Sequence, residues 1–586
     1  MWEKELEVCK EAAVLAGSAI LDIYNSVEDM EVEYKEGNMP LTVADKASND
    51  IIVRILRENF PTYAILSEEE KDNPDRLLND YCFVVDPLDG TKEFIKRNGQ
   101  FTVNIALAYK GRAVVGVIYV PVADELYFAG KDGGAYLKDT SGAVIELCVT
   151  DNVKCEKMKA VLSGSHGCKE MEDLLEKYEM SDFVKVGSSL KGCMVASGNA
   201  DVYYRHNPTM EWDTAAMQCI VEEAGGLFRQ MDLTPMCYNR ENSLNENGFL
   251  AINSYRNLFV KHSYLITGVT GFIGSLLVKT LMSFESYKKG DMCIYGLVRD
   301  VEKAKKMYED YDCQNLHFIE GDICDRRAVL SLKELAVDYI IHCAATTQSK
   351  EMIEKPVETL DGLTLGTKNI LDLAHELKVK SMVMLSSMEV YGIVEDNGHL
   401  RSEEELGEIV LNEARSCYPL GKRLAEHYCY LYKKEYEVPV KVARLSQVFG
   451  KGVRLDDNRV YMQFARAVRE DRDIVLKTDG MSMGNYCDSE DAVEAILTIL
   501  FKGEDGQTYN VVNEENTMHI RELANLVAEK ISGGKIQVKY ELEDRAQTGY
   551  AGKTGLRMSA KKLRGLGWKP TKDLEEMFGD VILKLN

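Results

Sequence analysis

No window of this 586-residue chain reaches the roughly 18 uninterrupted apolar residues that a membrane helix needs. Its opening segment, MWEKELEVCKEAAVLAGSAILDIY, lacks the basic-then-apolar order of a signal peptide and reads as an amphipathic helix. A cytoplasmic protein with no membrane partner is the expectation. Positive charge is also short: 71 Lys and Arg against 95 Asp and Glu leave a net charge of -24. Nucleic-acid backbones are held by clustered Lys and Arg, which argues against a nucleic-acid polymer as partner. Small anionic substrates are not excluded, because one metal site inverts such a field locally. None of the 15 cysteines forms a C-x-x-C pair and their total is odd, which fits reduced, mostly buried thiols better than a disulfide framework or a zinc site. Gly/Ser or Pro linkers, internal repeats and low-complexity tracts are missing too.

The composition, 45% hydrophobic and 28% charged, is that of a soluble globular protein, and the length is several times that of a usual domain. A seam divides the chain. Residues 1 to 258 end in GFLAINSYRNLF, and at 264 the strand YLIT runs straight into GVTGFIG, as a domain of another type opens. Two domains, 1–258 and 263–586, are expected.

The first is marked by VVDPLDGTKEF at 84 to 94, a buried strand that stops at a proline turn with Gly90 and Thr91 opening a helix. Two carboxylates at a strand end, beside the free N–H groups of a helix start, suit a divalent cation and a phosphate together. An ordinary Asx turn is the bland alternative. Three more acidic turns at the ends of apolar runs weigh against it: LTVAD at 41 to 45, SEEE at 67 to 70 and EWDTAA at 211 to 216. Glu69 and Glu70 read as solvated neighbours.

LTVAD, ILSEE, DPLDGT and EWDTAA, in this order, resemble the inositol monophosphatase superfamily of metal-dependent phosphatases. The resemblance implies a layered αβαβα fold with two or more Mg2+ per site. Glu68, Asp86 and the Leu88 carbonyl would hold one ion, and Asp86, Asp89 and Asp213 a second. Thr91, paired with Asp45, would orient or deprotonate the attacking water, with Gly90 and Thr91 near the substrate. KEFIKRNGQFTVNIAL, GSSLK and YYR look most like the 3'(2'),5'-bisphosphate nucleotidase branch, which converts 3'-phosphoadenosine 5'-phosphate to AMP. The positions matching that branch's grip on the non-reacting 5'-phosphate are His166, Ser188, Lys191 and Arg205. One departure stands out, since members usually carry an arginine in the turn where SGSH has Gly164.

In the second domain YLITGVTGFIGSLLVKTL reads as strand, glycine turn and helix, so Gly268, Gly271 and Gly274, with Phe272 and Ile273, would let a pyrophosphate approach the helix start. GDICD at 321 to 325, YIIHCAA at 339 to 345, LSSMEVYG at 385 to 392 and YPLGK at 418 to 422 complete a resemblance to the extended short-chain dehydrogenase/reductases, the nucleotide-sugar epimerases and dehydratases. That family implies a Rossmann doubly wound parallel sheet with a small C-terminal substrate-binding part. Tyr418 and Lys422 would do the proton chemistry, Lys422 lowering the phenol's pKa and binding the nicotinamide ribose. Ser387 would bind the substrate oxygen, and Asp322 and Ile323 would flank the adenine. Arg299, at the end of IYGLVRD, suits a 2'-phosphate and favours NADP; Asp300 beside it keeps NAD open. Dehydratases carry an Asp-Glu pair where this chain has Met388 and Glu389, and epimerases commonly have Thr in place of Glu389. A pyrophosphate-binding arginine corresponds to Gly484 here, with Arg454 and Arg459 as substitutes. A homodimer through the helix bearing Tyr418 and Lys422 is left open.

The expectation is a bifunctional α/β enzyme: a Mg2+ phosphomonoesterase of the bisphosphate nucleotidase type fused to an NAD(P)-dependent sugar epimerase, dehydratase or reductase. The alternatives are an inositol or sugar phosphatase of a polysaccharide pathway, with a sugar or polyol reductase or a non-catalytic cofactor-sensing module as the second half.

Overall fold

The computed structural model describes residues 2–26, 32–35, 39–164, 169–543 and 553–585. It forms two compact units, Met1–Val260 and Lys261–Asn586. In the first, seven strands lie in chain order: Ala64–Ser67, Tyr81–Asp89, Thr102–Tyr109, Arg112–Val120, Glu125–Gly130, Ala135–Lys138 and Val144–Glu146. The first pair is parallel and the rest antiparallel. Side chains alternate across a strand, so both faces of this sheet must be apolar to be covered twice. Phe83, Val85, Ile105 and Val117 pack with Ala12, Ala16, Ile20 and Ile52 of the helices Glu3–Ser26 and Val43–Asn59. Val84, Ala106 and Ile118 pack with Ala216 and Ile220 of the helix Glu211–Glu223. A second sheet of five strands runs Asp182–Val186, Lys159–Ser163, Val202–Arg205, Phe249–Ile252, Leu227–Gln230.

The second unit holds seven parallel strands in the spatial order Leu316–Glu320, Met292–Val298, His262–Thr267, Tyr339–His342, Ser381–Ser387, Val440–Leu445, Thr508–Val511. Numbered along the chain this is 3-2-1-4-5-6-7, the doubly wound arrangement, whose crevice opens where the order reverses between the strands ending at Thr267 and His342. A smaller part has its own core of Phe449, Tyr461, Met462, Leu523 and Phe578. Both units are α/β, as expected. The 14 described cysteines are all free; seven are buried, so the thiols are less uniformly buried than expected. Among the described residues no helix is long and apolar enough to cross a membrane.

Candidate active sites

Side chains three apart on a regular strand point to opposite faces. Asp86 and Asp89 escape that rule because the ladder is irregular between them: Asp86 faces Asn104 and Asp89 faces Thr102, three steps against two. Such a bulge re-aims side chains, here around Pro87, whose carbonyl accepts the Ser48 hydroxyl at 2.7 Å. Leu88 N donates to Asp86 Oδ1 at 3.1 Å. Gly90 follows in the left-handed region, φ 93, which opens the helix Thr91–Ile95 at little steric cost. Glu68 directly follows the neighbouring strand Ala64–Ser67, its N–H on the Val85 carbonyl at 3.1 Å. Asp213, in the first turn of Glu211–Glu223, accepts Met210 N at 2.7 Å.

These groups share one field. Asp86 is 2% exposed, and burial, then Glu68, Asp89, Asp213 and Asp45, push its pKa far up. Burial and then Asp89 push Asp213 up to about 7. Among the described residues no three carboxylates already converge at ligand spacing. The donor set is nonetheless all oxygen, with hard carboxylates and the Leu88 carbonyl within one turn, and it suits a hard divalent cation. Asp45 is held at Oδ2 by the Thr42 N–H and hydroxyl, at 2.8 and 2.6 Å, and accepts the Thr91 hydroxyl on Oδ1 at 3.2 Å. Because the Thr91 hydroxyl donates its hydrogen bond inward, its lone pairs are left to accept one from water.

Lys191 is buried and donates to the Ser188 carbonyl at 2.5 Å; burial lowers its pKa to about 8, against the pull of Asp89. Arg205 bears on Lys191 and on Asp213 alike. Ser188 Oγ and Arg205 Nε are buried without a hydrogen-bond partner. Of the expected anion grip, Ser188, Lys191 and Arg205 therefore gather beside the carboxylates, while His166 lies outside the described residues. Sequence reasoning missed Ser189, Asn104 and Thr102, whose side chains all bond Asp89.

At the second site the helix Phe272–Met282 starts at Gly271 with no side-chain cap, leaving its first N–H groups for a ligand. A Cβ on Gly274 would stand 2.2 Å from the Gly268 carbonyl, so only glycine allows this turn. Gly268 in turn lies against the Ala344 backbone, across the crevice where the strand order reverses. Ile273 follows Phe272 in the first helical turn, both half-buried. Arg299 and Asp300 are exposed just past the second strand, and Asp300 Oδ1 is engaged in capping the helix Val301–Met307 through Lys303 N, 2.9 Å. Asp322 Oδ1 accepts Cys324 N at 2.8 Å, and the Ile323 carbonyl accepts Asn369 Nδ2 at 2.8 Å.

Tyr418 and Lys422 lie one turn apart on the buried side of the helix Cys417–Tyr436. Burial and then Glu389 push the phenol up; Ser387, Arg415 and Arg459 pull it down. The phenol thus stands above its ordinary value, not below it as expected, and Lys422 is engaged elsewhere: its Nζ donates to the Leu385 carbonyl at 2.6 Å, and burial lowers its pKa to about 8, against Glu426. Glu389 is paired with Arg415 at 2.7 Å, and the Arg415 ring contact with Tyr418 is 5.8 Å. Both substitute arginines are exposed and ion-paired, Arg454 with Asp456 at 2.7 Å and Arg459 with Asp457 at 2.6 Å, and only the charge of Arg459 also reaches Tyr418. No side chain can leave position 484, where a Cβ would stand 2.3 Å from Tyr486 Oη. Sequence reasoning also missed Glu426, which accepts Ser386 Oγ at 2.5 Å and the Arg444 fork at 2.9 and 2.7 Å, tying the Tyr/Lys helix to the strand that carries Leu385 and Ser387.

The first unit falls in a class of phosphatases, and the second has a doubly wound fold and a match to a family of NAD-dependent enzymes. Residues 1–261 belong to the inositol monophosphatase family, and residues 264–513 match the NAD dependent epimerase/dehydratase family. The 3'(2'),5'-bisphosphate nucleotidase CysQ of Buchnera aphidicola is 42% identical over 228 residues, 39% of this chain and 84% of that protein. The solved structure of CysQ from Bacteroides thetaiotaomicron is 41% identical over 43% of this chain and 97% of its own, with a TM-score of 0.38. A UDP-glucose 4-epimerase of Thermotoga maritima, solved with UDP-glucose, is 20% identical over 55% of this chain and 98% of its own, with a TM-score of 0.47.

Proposed function

We propose that the first unit is a Mg2+-dependent 3'(2'),5'-bisphosphate nucleotidase that takes 3'-phosphoadenosine 5'-phosphate to AMP. The observation that carries this reading is the set of buried donors beside the carboxylates: Lys191, with Ser188 Oγ and Arg205 Nε left unpartnered. A substrate with one phosphate would leave them unpaired, which is costly for buried polar groups, whereas a second phosphate satisfies them. The 42% identity to a bisphosphate nucleotidase points the same way. Glu68, Asp86, the Leu88 carbonyl, Asp89 and Asp213 would hold the metal. Bound Mg2+ supplies water activation and neutralisation of the phosphoryl and alkoxide charge. Thr91, its own hydrogen bond donated to Asp45, accepts one from the attacking water and aims it. Lys191 and Arg205 hold the non-reacting phosphate, and His166 is proposed to join them. A phosphate-release screen with Mg2+, setting this bisphosphate against inositol and sugar phosphates, tests the reading; preference for an inositol or sugar phosphate overturns it.

For the second unit we infer an NADP-dependent epimerase, dehydratase or reductase of sugars or nucleotide sugars. Among the described residues the exposed Arg299 has no ion-pair partner, while Asp300 caps a helix, which favours a 2'-phosphate over a ribose hydroxyl. The cofactor supplies hydride exchange. Ser387 holds the substrate oxygen toward Tyr418, which moves the proton, and Lys422 is placed for the ribose. A cytoplasmic location accompanies this reading, favoured by the free thiols.

A further inference from the structure

Among the described residues the hydrogen bonds to the Asp89 side chain all fall on one oxygen. Oδ2 accepts Ser189 Oγ at 2.6 Å, Asn104 Nδ2 at 3.2 Å and Thr102 Oγ1 at 3.4 Å. The three donors are 1%, 1% and 0% exposed. Ser189 is the centre of this clamp. Its single proton goes to the carboxylate in a short, charge-assisted bond, and its lone pairs accept Asn104 Nδ2 at 2.9 Å. The same hydroxyl oxygen lies 3.5 Å from the Asp213 carbonyl. One buried group therefore touches two of the residues expected to hold metal.

Ser189 also begins the stretch that grips an anion. Ser188, just before it, is held in the left-handed region at φ 46, and its carbonyl takes the Lys191 ammonium at 2.5 Å. A non-glycine residue persists there only where its surroundings over-determine it. Gly90 packs so close that a Cβ added there would stand 3.2 Å from Ser188 Cβ, and on the other side Ser189 is tied to Asp89. Ser188 and Ser189 form the turn that opens the helix Leu190–Ala196 carrying Lys191, so the hydroxyl that fixes the Asp89 carboxylate sits at the start of the element that carries the anion-binding lysine.

We propose that Ser189 is a positioning residue that couples the two halves of the phosphatase site, so that an anion at Lys191 and Arg205 and a divalent cation at Asp89 and Asp213 strengthen each other's binding. The proposal rests on the reading of this unit as a metal-dependent phosphatase. An anion held by Lys191 fixes the start of the helix Leu190–Ala196 and with it Ser189, and Ser189 fixes Asp89 with Oδ2 occupied and Oδ1 left to the cation; reciprocity requires the converse. The direct attraction between bound anion and cation exists with or without Ser189, so the diagnostic quantity is what is lost relative to the wild type.

The test is Mn2+ affinity of the full chain, read by electron paramagnetic resonance with and without AMP, which carries the non-reacting phosphate alone. In the wild type AMP should tighten Mn2+ at least about fivefold, the lower end of coupling between sites. In Ser189→Ala that enhancement should fall by more than about threefold, and Ser189→Thr, which restores the hydroxyl, should recover it. An enhancement in Ser189→Ala within threefold of the wild type overturns the proposal, as does a wild type that AMP leaves unchanged. Asp86→Asn separates the two levels of inference: Mn2+ binding that survives it intact contradicts the metal site itself, whatever Ser189 does. If Ser189→Ala does not fold, Ser189→Cys, a weaker donor, is held to the same threshold.

Discussion

Replacing Lys191 and Arg205 by Ala separates a site that reads two phosphates from a site that reads one. A charge-assisted hydrogen bond contributes about 1.5 to 3 kcal/mol, so each loss should raise KM for 3'-phosphoadenosine 5'-phosphate roughly ten- to hundredfold. Lys191 is buried, so solvent screening does not shrink this figure as it would at a surface. A monophosphate ester does not use these donors and should be affected far less. The same lysine gives the effect a pH signature. Its pKa falls from the ordinary 10.5 to about 8 through burial. Below about 8 it is an ammonium that binds phosphate; above, it is neutral, so KM for the bisphosphate should climb through that pH. Bound cations nearby would move the climb lower, never higher. Unfolding does not imitate this. Between pH 8 and 10.5 the unfolded chain holds the extra proton on Lys191, so that group makes the fold more stable as pH rises. The assay is steady-state phosphate release for both substrates from pH 6 to 9.5. Equal KM changes for the two substrates would refute the second-phosphate site.

Arg299→Ala should weaken NADPH by about one to two decades and NADH far less, as fluorescence titration reads directly; a wild type that prefers NADH transfers the role to Asp300. Asp86→Asn should cut phosphate release by several orders of magnitude while leaving NAD(P)H binding within about twofold, because the two sites share no residue. Tyr418→Phe should lower sugar turnover about 100-fold with cofactor binding intact; a matching fall in phosphate release at unchanged melting would contradict independent sites. Glu426→Gln keeps the shape but loses a charge that supports the Lys422 ammonium, so the alkaline limb of hydride transfer should move to lower pH. An unmoved limb denies Glu426 that role.

What could be read in the sequence was local. DPLDGT announces itself because Asp86, Asp89 and the Thr91 helix start lie within six residues, and the glycines of GVTGFIG because a tight turn needs them in a row. The strand-helix alternation around them made both units recognisable as α/β. The rest depends on contacts that cross the fold. Ser189 reaches Asp89 over 100 positions, and Glu426 meets Arg444 over 18. Nothing in GSSLK says which serine faces the carboxylate and which is left unpartnered. The Asp86 bulge was equally invisible, since only the register against Asn104 and Thr102 reveals that both carboxylates turn the same way. Arg454 and Arg459 looked alike and are paired alike, with Asp456 and Asp457, but only the charge of Arg459 also reaches Tyr418.

The central claim, that the first unit reads a second phosphate it does not cleave, is tested most directly by one ratio. It is kcat/KM of the intact chain for 3'-phosphoadenosine 5'-phosphate over that for adenosine 3'-phosphate, which differs only in lacking the 5'-phosphate. The account predicts a ratio of at least about ten, with AMP as the product of the first reaction. A ratio near one would contradict it.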